Sequence, residues 1–468
     1  MLDVLQALKE LSTETVPDAV HNAKGLDDTG CYPGTRKDIL NDLSHWVDSL
    51  RDRRPFYFLS APMGSGKTAI AKTLANQYSS KSSLLSTFFF SRTIEKRNTA
   101  NHLIPTIAYQ VATKLPVVAE FILEAVTRDP TIFFQSLRIQ MRTLLLDPLK
   151  RACANVLATE RRNWPHLLVI DGIDECIERS VQVRILEVLA EFSQSVPYPC
   201  ATLISCRPEL HLLNAFETEP LRELSIHVYL PLKYDSKNDI RHFLELSFKA
   251  IRRAHQKLVD FPVDWPGEAV ITTLVKKSSG HFIYPATVVK YVGALDDDPL
   301  HRLDVVRGVV VNQPDDENPF AQLDALYTGI IASIKPKHLP NIVTALSFAL
   351  ASSHSTDFAL VEAGIRVNLA SLQNILIRVD QFGDKLEINF LHASLADYLL
   401  SRRRSGQYYI GWQEAHTNVA IYLFDHHIMA ESNGMRRHIP LNCPHLCICT
   451  QLASKLPHLL PTTYRRLR

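Results

Sequence analysis

The chain has no run of about 18 or more apolar residues, so no segment reads as a membrane-spanning helix. It has no excess of either charge. Lys plus Arg total 51 against 49 Asp plus Glu, a net charge of +2 at pH 7, which removes any global electrostatic reason to expect nucleic acid or a membrane surface as partner. Cysteine is sparse, with 8 residues scattered over 468, which argues against a small disulfide framework and favours reduced thiols. The N-terminal MLDVLQALKE carries acids and lacks a basic head followed by an apolar core, so it does not read as a secretory signal. A cytoplasmic location follows as the expectation. No period of roughly 20–50 residues marks a repeat array, and no catalytic-triad signature stands out.

What is present is an ordinary globular balance, 46% hydrophobic and 21% charged, in a chain of 468 residues, long enough for about three domains. An amphipathic stretch with Leu2, Leu5, Leu8 and Leu11 on one face opens the chain and breaks at Pro17 and Gly25. Pro33-Gly34 marks a turn, and Thr35 with Asp38 fits a capping box that opens a helix to about Leu50. Strand-like runs follow at 56–61, 84–91, 166–171, 201–206 and 223–230, with helical patterns between them, for example 67–79, 101–114 and 180–195. Strands alternating with helices predict an α/β fold with a doubly wound parallel sheet, buried on both faces. After Leu230 the pattern turns helical, an acidic stretch QPDDENP (313–319) reads as a linker, and LEINFL (386–391) is a lone strand candidate in a winged-helix-like unit. The expected organisation is a leader at 1–30, the sheet domain at 31–232, a helical domain at 233–312, a winged-helix-like domain at 313–405 and an extension with irregular tail at 406–468.

The strongest chemical signal is Ala61-Pro62-Met63-Gly64-Ser65-Gly66-Lys67-Thr68. Its spacing is that of a phosphate-binding P-loop, with Ala61 in place of the first glycine. Small residues let consecutive backbone N–H groups turn inward as an anion nest, and the helix that follows adds its positive end. Lys67 is expected to reach the β- and γ-phosphates, and the Thr68 hydroxyl to bind Mg²⁺. The alternative is a Gly-rich turn that binds nothing. The apolar run before the loop and the helical pattern after it favour nucleotide.

A second signal is LLVIDGIDEC (167–176), an apolar strand that ends in Asp171, Asp174 and Glu175. Such a strand delivers carboxylates beside the phosphate loop of the same sheet. Asp171 is expected to hold Mg²⁺ through water. Glu175, or Asp174 in its place, is expected to polarise the attacking water as general base. The bland reading is an acidic turn at a helix N-terminus. A third strand, ATLISC (201–206), ends near Arg207 and is expected to lie between the two motif strands, placing Arg207 where it could sense a γ-phosphate.

These residues, with CYPGTRKDIL (31–40), FLSAPMGSGKTAIAKTLA (58–75), LISCRPELHLLNAF (203–216), SSGHFIYPATVVKYV (278–292) and NFLHASLADYLLSRRRSG (389–406), resemble the NACHT branch of the signal-transduction P-loop NTPases in its fungal, nod-like-receptor form, with a nephrocystin-like P-loop domain. The resemblance implies a slow switch: bound diphosphate holds a closed form, and exchange for ATP or GTP with Mg²⁺ opens it for self-assembly with protein partners. It implies roles in innate immunity or heterokaryon incompatibility. It also implies that Arg36 lies near base and ribose, and that His392 contacts the β-phosphate of the closed form. A fast P-loop ATPase or kinase, or a scaffold with structural nucleotide, remain the other readings. Cys443, His445, Cys447 and Cys449 are too tightly spaced for paired zinc knuckles, and the basic runs at 51–54 and 401–404 read as solvated helix ends.

Overall fold

A computed structural model describes residues 2–23, 30–49, 54–92, 94–294, 298–308, 321–332, 334, 336–351, 377–382, 385–390, 393–419 and 421–422. Five strands, β1 (Phe56–Ser60), β2 (Leu84–Phe89), β3 (Leu167–Asp171), β4 (Ala201–Cys206) and β5 (Ser225–Tyr229), form one sheet in the order β2-β3-β4-β1-β5. Every pairing in it is parallel. β4 therefore lies between β1 and β3, as the sequence predicted.

Each strand has a side-chain period of two, and the sheet sorts its residues accordingly. Phe56, Phe58, Phe88, Leu168, Ile170 and Ile204 point into one core, which the helices Leu103–Lys114, Pro116–Arg128 and Arg179–Ser195 cover. Tyr57, Leu59, Phe89, Leu167, Val169 and Leu203 point into the other, which the helices Lys37–Asp48 and Lys67–Ser80 cover. Burial on both faces explains the near-continuous apolar runs of β1 to β4. Each fully buried Phe contributes about 1.5–3 kcal/mol. β5 pairs only with β1 and, as an edge, is buried only in part.

The chain divides into two compact units, Met1–Ala250 with Pro262–Ala286, and Ile251–Phe261 with Thr287–Arg468. The sheet belongs to the first. The second begins its main stretch with helices and carries an antiparallel ladder of β6 (Ile377–Phe382) and β7 (Lys385–Phe390), followed by the helix Ala393–Leu399. Helices, a two-stranded ladder, then a helix is the winged-helix-like pattern. The strand expected at 386–391 is β7, and its partner β6 was not anticipated.

Three local readings need correction. Thr35 does not cap a helix, because its hydroxyl donates to Tyr32 O at 2.7 Å. The helix Lys37–Asp48 instead starts from Arg36 in a left-handed conformation, φ 56°. Between β2 and β3 the expected patterns stopped near 114, yet the helices Pro116–Arg128 and Asp147–Asn155 also fill that connection and pack in the first core. The run at 401–404 is not merely solvated, since Arg404 donates to both oxygens of Asp324. The segment 313–319 and the tail cysteines lie outside the described residues.

Candidate functional site

The loop Ala61–Gly66 leaves the C-terminal end of β1 and runs into the helix Lys67–Ser80. Ala61 N donates to Cys206 O at 3.2 Å, which carries the β1–β4 ladder one residue into the loop. Ala61 is wholly buried, so the small side chain suits the strand exit. Ser65 Oγ donates to Pro62 O at 2.7 Å and curls the loop back on itself. Gly64 and Gly66 both hold positive φ, 75° and 89°, where side chains strain the backbone. At Gly64 a Cβ would also lie 2.2 Å from Ile283 Cγ2, because Ile283 N donates to Gly64 O at 3.1 Å. At Gly66 a Cβ would meet nothing within 4 Å, so the loop is open on that side. Lys67 folds over the loop, with Nζ donating to Ala61 O at 2.8 Å and Pro62 O at 3.1 Å. Arg36 braces it from behind, donating from Nη2 to Ser65 O at 2.6 Å and stacking over Phe282 at 4.7 Å.

Two strands away, β3 ends in Asp171, paired in register with Ser205 of β4. The Ser205 hydroxyl donates to Asp171 Oδ1, and the Thr68 hydroxyl also bonds to the Asp171 carboxylate. The chain then turns through Gly172 into the short helix Ile173–Glu175. Asp174 is buried; its Oδ1 accepts from Arg207 N at 3.0 Å, while Arg207 Nε faces its Oδ2 at 3.2 Å. Glu175 Oε2 accepts from Arg92 N at 3.1 Å, just past β2. The order β2-β3-β4-β1 thus brings Arg92, the acidic turn, Arg207 and the phosphate loop together at one end of the sheet.

Burial dominates the electrostatics. It raises the Asp171 carboxyl above the ordinary range, partly offset by the Ser205 and Thr68 bonds and by Lys67. It lowers Lys67, partly offset by the charges of Asp174 and Asp171. Burial and the neighbouring Asp174 charge push Glu175 up to about 7. His281, buried near Lys67 and hydrogen-bonded to the Met63 backbone, is lowered. Perturbed groups gathered at one strand end make this end of the sheet the candidate site.

The cleft fits a polyphosphate with a divalent cation. The loop is an amide nest beside a lysine, and the Asp171 carboxylate stands at the end of β3 within reach of Thr68 and Lys67. Among the described residues no three His, Cys, Asp or Glu side chains are placed to hold a metal unaided. A cation here would rest on Thr68, Asp171, water and phosphate oxygens, the usual dress of Mg²⁺.

Of the sequence candidates, Ala61 to Thr68, Arg36, Asp171, Asp174, Glu175 and Arg207 gather at this end of the sheet, and His392 lies outside the described residues. Sequence reasoning passed over Arg92, Gln182, His281 and Asp239, whose carboxylate accepts from Arg36 N at 2.9 Å. Gln182 had a readable signal, a polar residue on the buried face of an amphipathic helix. Arg92 had none, since its place beside the acidic turn follows from the pairing of β2 with β3.

The Nephrocystin 3, N-terminal family model matches residues 34–207, from the Pro-Gly turn to the arginine after β4. No curated protein matches the chain. Among solved structures, the ORC1 protein of Aeropyrum pernix in complex with DNA superposes with a TM-score of 0.37 at 15% identity, covering 86% of this chain and 96% of its own. The Drosophila ORC bound to DNA gives 0.33 at 10% identity, over 75% and 88%. CDC6P from Pyrobaculum aerophilum gives 0.31 at 14% identity, over 80% and 94%.

Proposed function

We propose that the chain is a NACHT-type switch that binds ATP or GTP with Mg²⁺ and hydrolyses it slowly, so that the nucleotide state controls a closed-to-open, assembly-competent transition. The observation that carries the reading is the parallel order β3-β4-β1, because it sets the Asp171 carboxylate at the end of β3 beside the phosphate loop that follows β1. Backbone N–H groups of the loop and the Lys67 ammonium bind the polyphosphate. Thr68, with Asp171 through water, holds the cation, which supplies neutralisation of phosphate charge when bound. Glu175 orients a water and accepts its proton. A carboxylate near pKa 7 is matched to that task at neutral pH. Arg207, here held by Asp174, turns to the terminal phosphate when one is present.

In this reading residues 31–232 bind nucleotide, and the helical and winged-helix-like segments at 233–312 and 313–405 read its state; a role for His392 toward diphosphate is implied by the family resemblance alone. The work is done in the cytoplasm, with self-assembly and protein partners supplying input and output. A fast ATPase or kinase and a scaffold with structural nucleotide are the outcomes that would displace it.

Mass spectrometry of nucleotide released from the purified protein, paired with turnover and size measurement in diphosphate and triphosphate, tests the proposal. Co-purifying diphosphate, slow turnover and a size increase in triphosphate support it. A kcat above about 10 s⁻¹ without change of size counts against a switch. Equal nucleotide binding by the wild type and Lys67→Ala removes the site assignment.

A further inference from the structure

We propose that Gln182 and His211 are positioning residues that set the turn carrying Glu175, an inference that rests on the reading of Glu175 as the general base. Gln182 sits in the first turn of the helix Arg179–Ser195 and is only 2% exposed. Its Nε2 donates to Cys176 O at 2.6 Å and to Asp174 O at 3.3 Å. Those carbonyls flank Glu175 on either side, so one amide grips the backbone around the catalytic candidate. Both amide protons are thereby used, which makes Oε1 an acceptor. His211 Nε2 lies 2.6 Å from that oxygen and must carry the proton it donates. His211 Nδ1 is 3.6 Å from Glu209 Oε2, which stands on the same connection after β4.

That connection also contains Arg207. The segment leaving β4 therefore reaches the acidic turn by two routes, Arg207 to Asp174 and His211 through Gln182 to the carbonyls of Asp174 and Cys176. A third grip comes from β2, where Arg92 Nη2 donates to Asp174 O at 3.0 Å. A catalytic carboxylate on a short turn depends on such support, because a displacement near 1 Å can cost about 100-fold in rate. If Gln182 were only a satisfied buried polar group, an apolar replacement of the two partners would leave the chemistry alone. A positioning role predicts otherwise.

The experiment compares wild type, His211→Phe, His211→Gln and Gln182→Met. His211→Phe keeps the ring and loses the donor. His211→Gln restores an N–H at a similar reach. Steady-state hydrolysis of Mg²⁺-triphosphate is read beside hydrogen exchange of residues 172–177 in the nucleotide-free protein. The expected result is a kcat about tenfold lower for His211→Phe with KM changed less than about twofold, faster exchange in the turn, and recovery of both in His211→Gln. Gln182→Met should match or exceed His211→Phe. Wild-type kcat and exchange in His211→Phe overturn the proposal, as does a loss in His211→Phe that His211→Gln does not recover. If wild type and Glu175→Gln turn over equally slowly, the general-base reading fails. The exchange then decides the positioning on its own: faster exchange in His211→Phe, restored in His211→Gln, upholds it, and unaltered exchange overturns it.

Discussion

In the unit that holds the ladder β6–β7, Asp324 receives three hydrogen bonds from Arg404, at 2.7, 3.0 and 3.2 Å, and the pair is nearly closed to solvent. At the strand ends of the other unit, three carboxylates, Asp171, Asp174 and Glu175, crowd near Lys67 and Arg207. Lys67 donates to two loop carbonyls, and Arg207 pairs with Asp174. The first cluster has matched charge and fork-to-fork geometry, the arrangement of a structural ion pair. The second sets three carboxylates against two cations, with Asp171 and Glu175 raised by burial, the pattern of a candidate ligand site. Burial of charge is common to both; the balance of charge separates a structural pair from a candidate site.

Replacing Glu175 by Gln should have the largest effect, cutting turnover roughly 10²–10⁴-fold while binding persists. Equal turnover in the two proteins would remove Glu175 from the chemistry. Next, Arg404→Met should cost about 3–5 kcal/mol by leaving Asp324 buried and uncompensated. The double change with Asp324→Leu should recover most of that, and denaturant unfolding reads both. Nucleotide affinity should be unmoved, and a parallel loss of affinity would break the distinction between the clusters. Lys67→Ala should behave conversely, with titration calorimetry showing affinity down about 100-fold, or about 3 kcal/mol, and little change in unfolding.

A smaller effect concerns pH. Glu175 stands near 7 in the fold against an ordinary 4.5, so the fold favours its neutral form. Its contribution to stability is complete below about 4.5 and lost as pH rises through about 7. Hydrolysis runs the other way, because a base must be ionised. Below about 7 the rate should fall about tenfold per pH unit. Stability and rate profiles of wild type against Glu175→Gln would show both, and a rate flat from pH 5 to 8 contradicts the assignment.

The parallel sheet was legible because β1 to β4 are apolar on both faces, and the loop was legible because Gly64, Gly66, Lys67 and Thr68 are chemically constrained residues at constrained spacing. Arg36 was read by resemblance alone. Its left-handed backbone and its bond to Ser65 O could not be, since local pattern preferred Thr35 as a cap. The helices between 116 and 155 were passed over because their apolar residues pack against a core built from distant segments.

Which residues bear phosphate chemistry is written into chain order, through glycine's freedom at positive φ and through carboxylates at the end of an apolar strand. How they meet is not. Strand order put β4 between β1 and β3, and that placement joined Thr68 to Asp171, Arg207 to Asp174 and His211 to Gln182. Contacts between residues 29 or more positions apart depend on packing two cores at once, which no local pattern encodes.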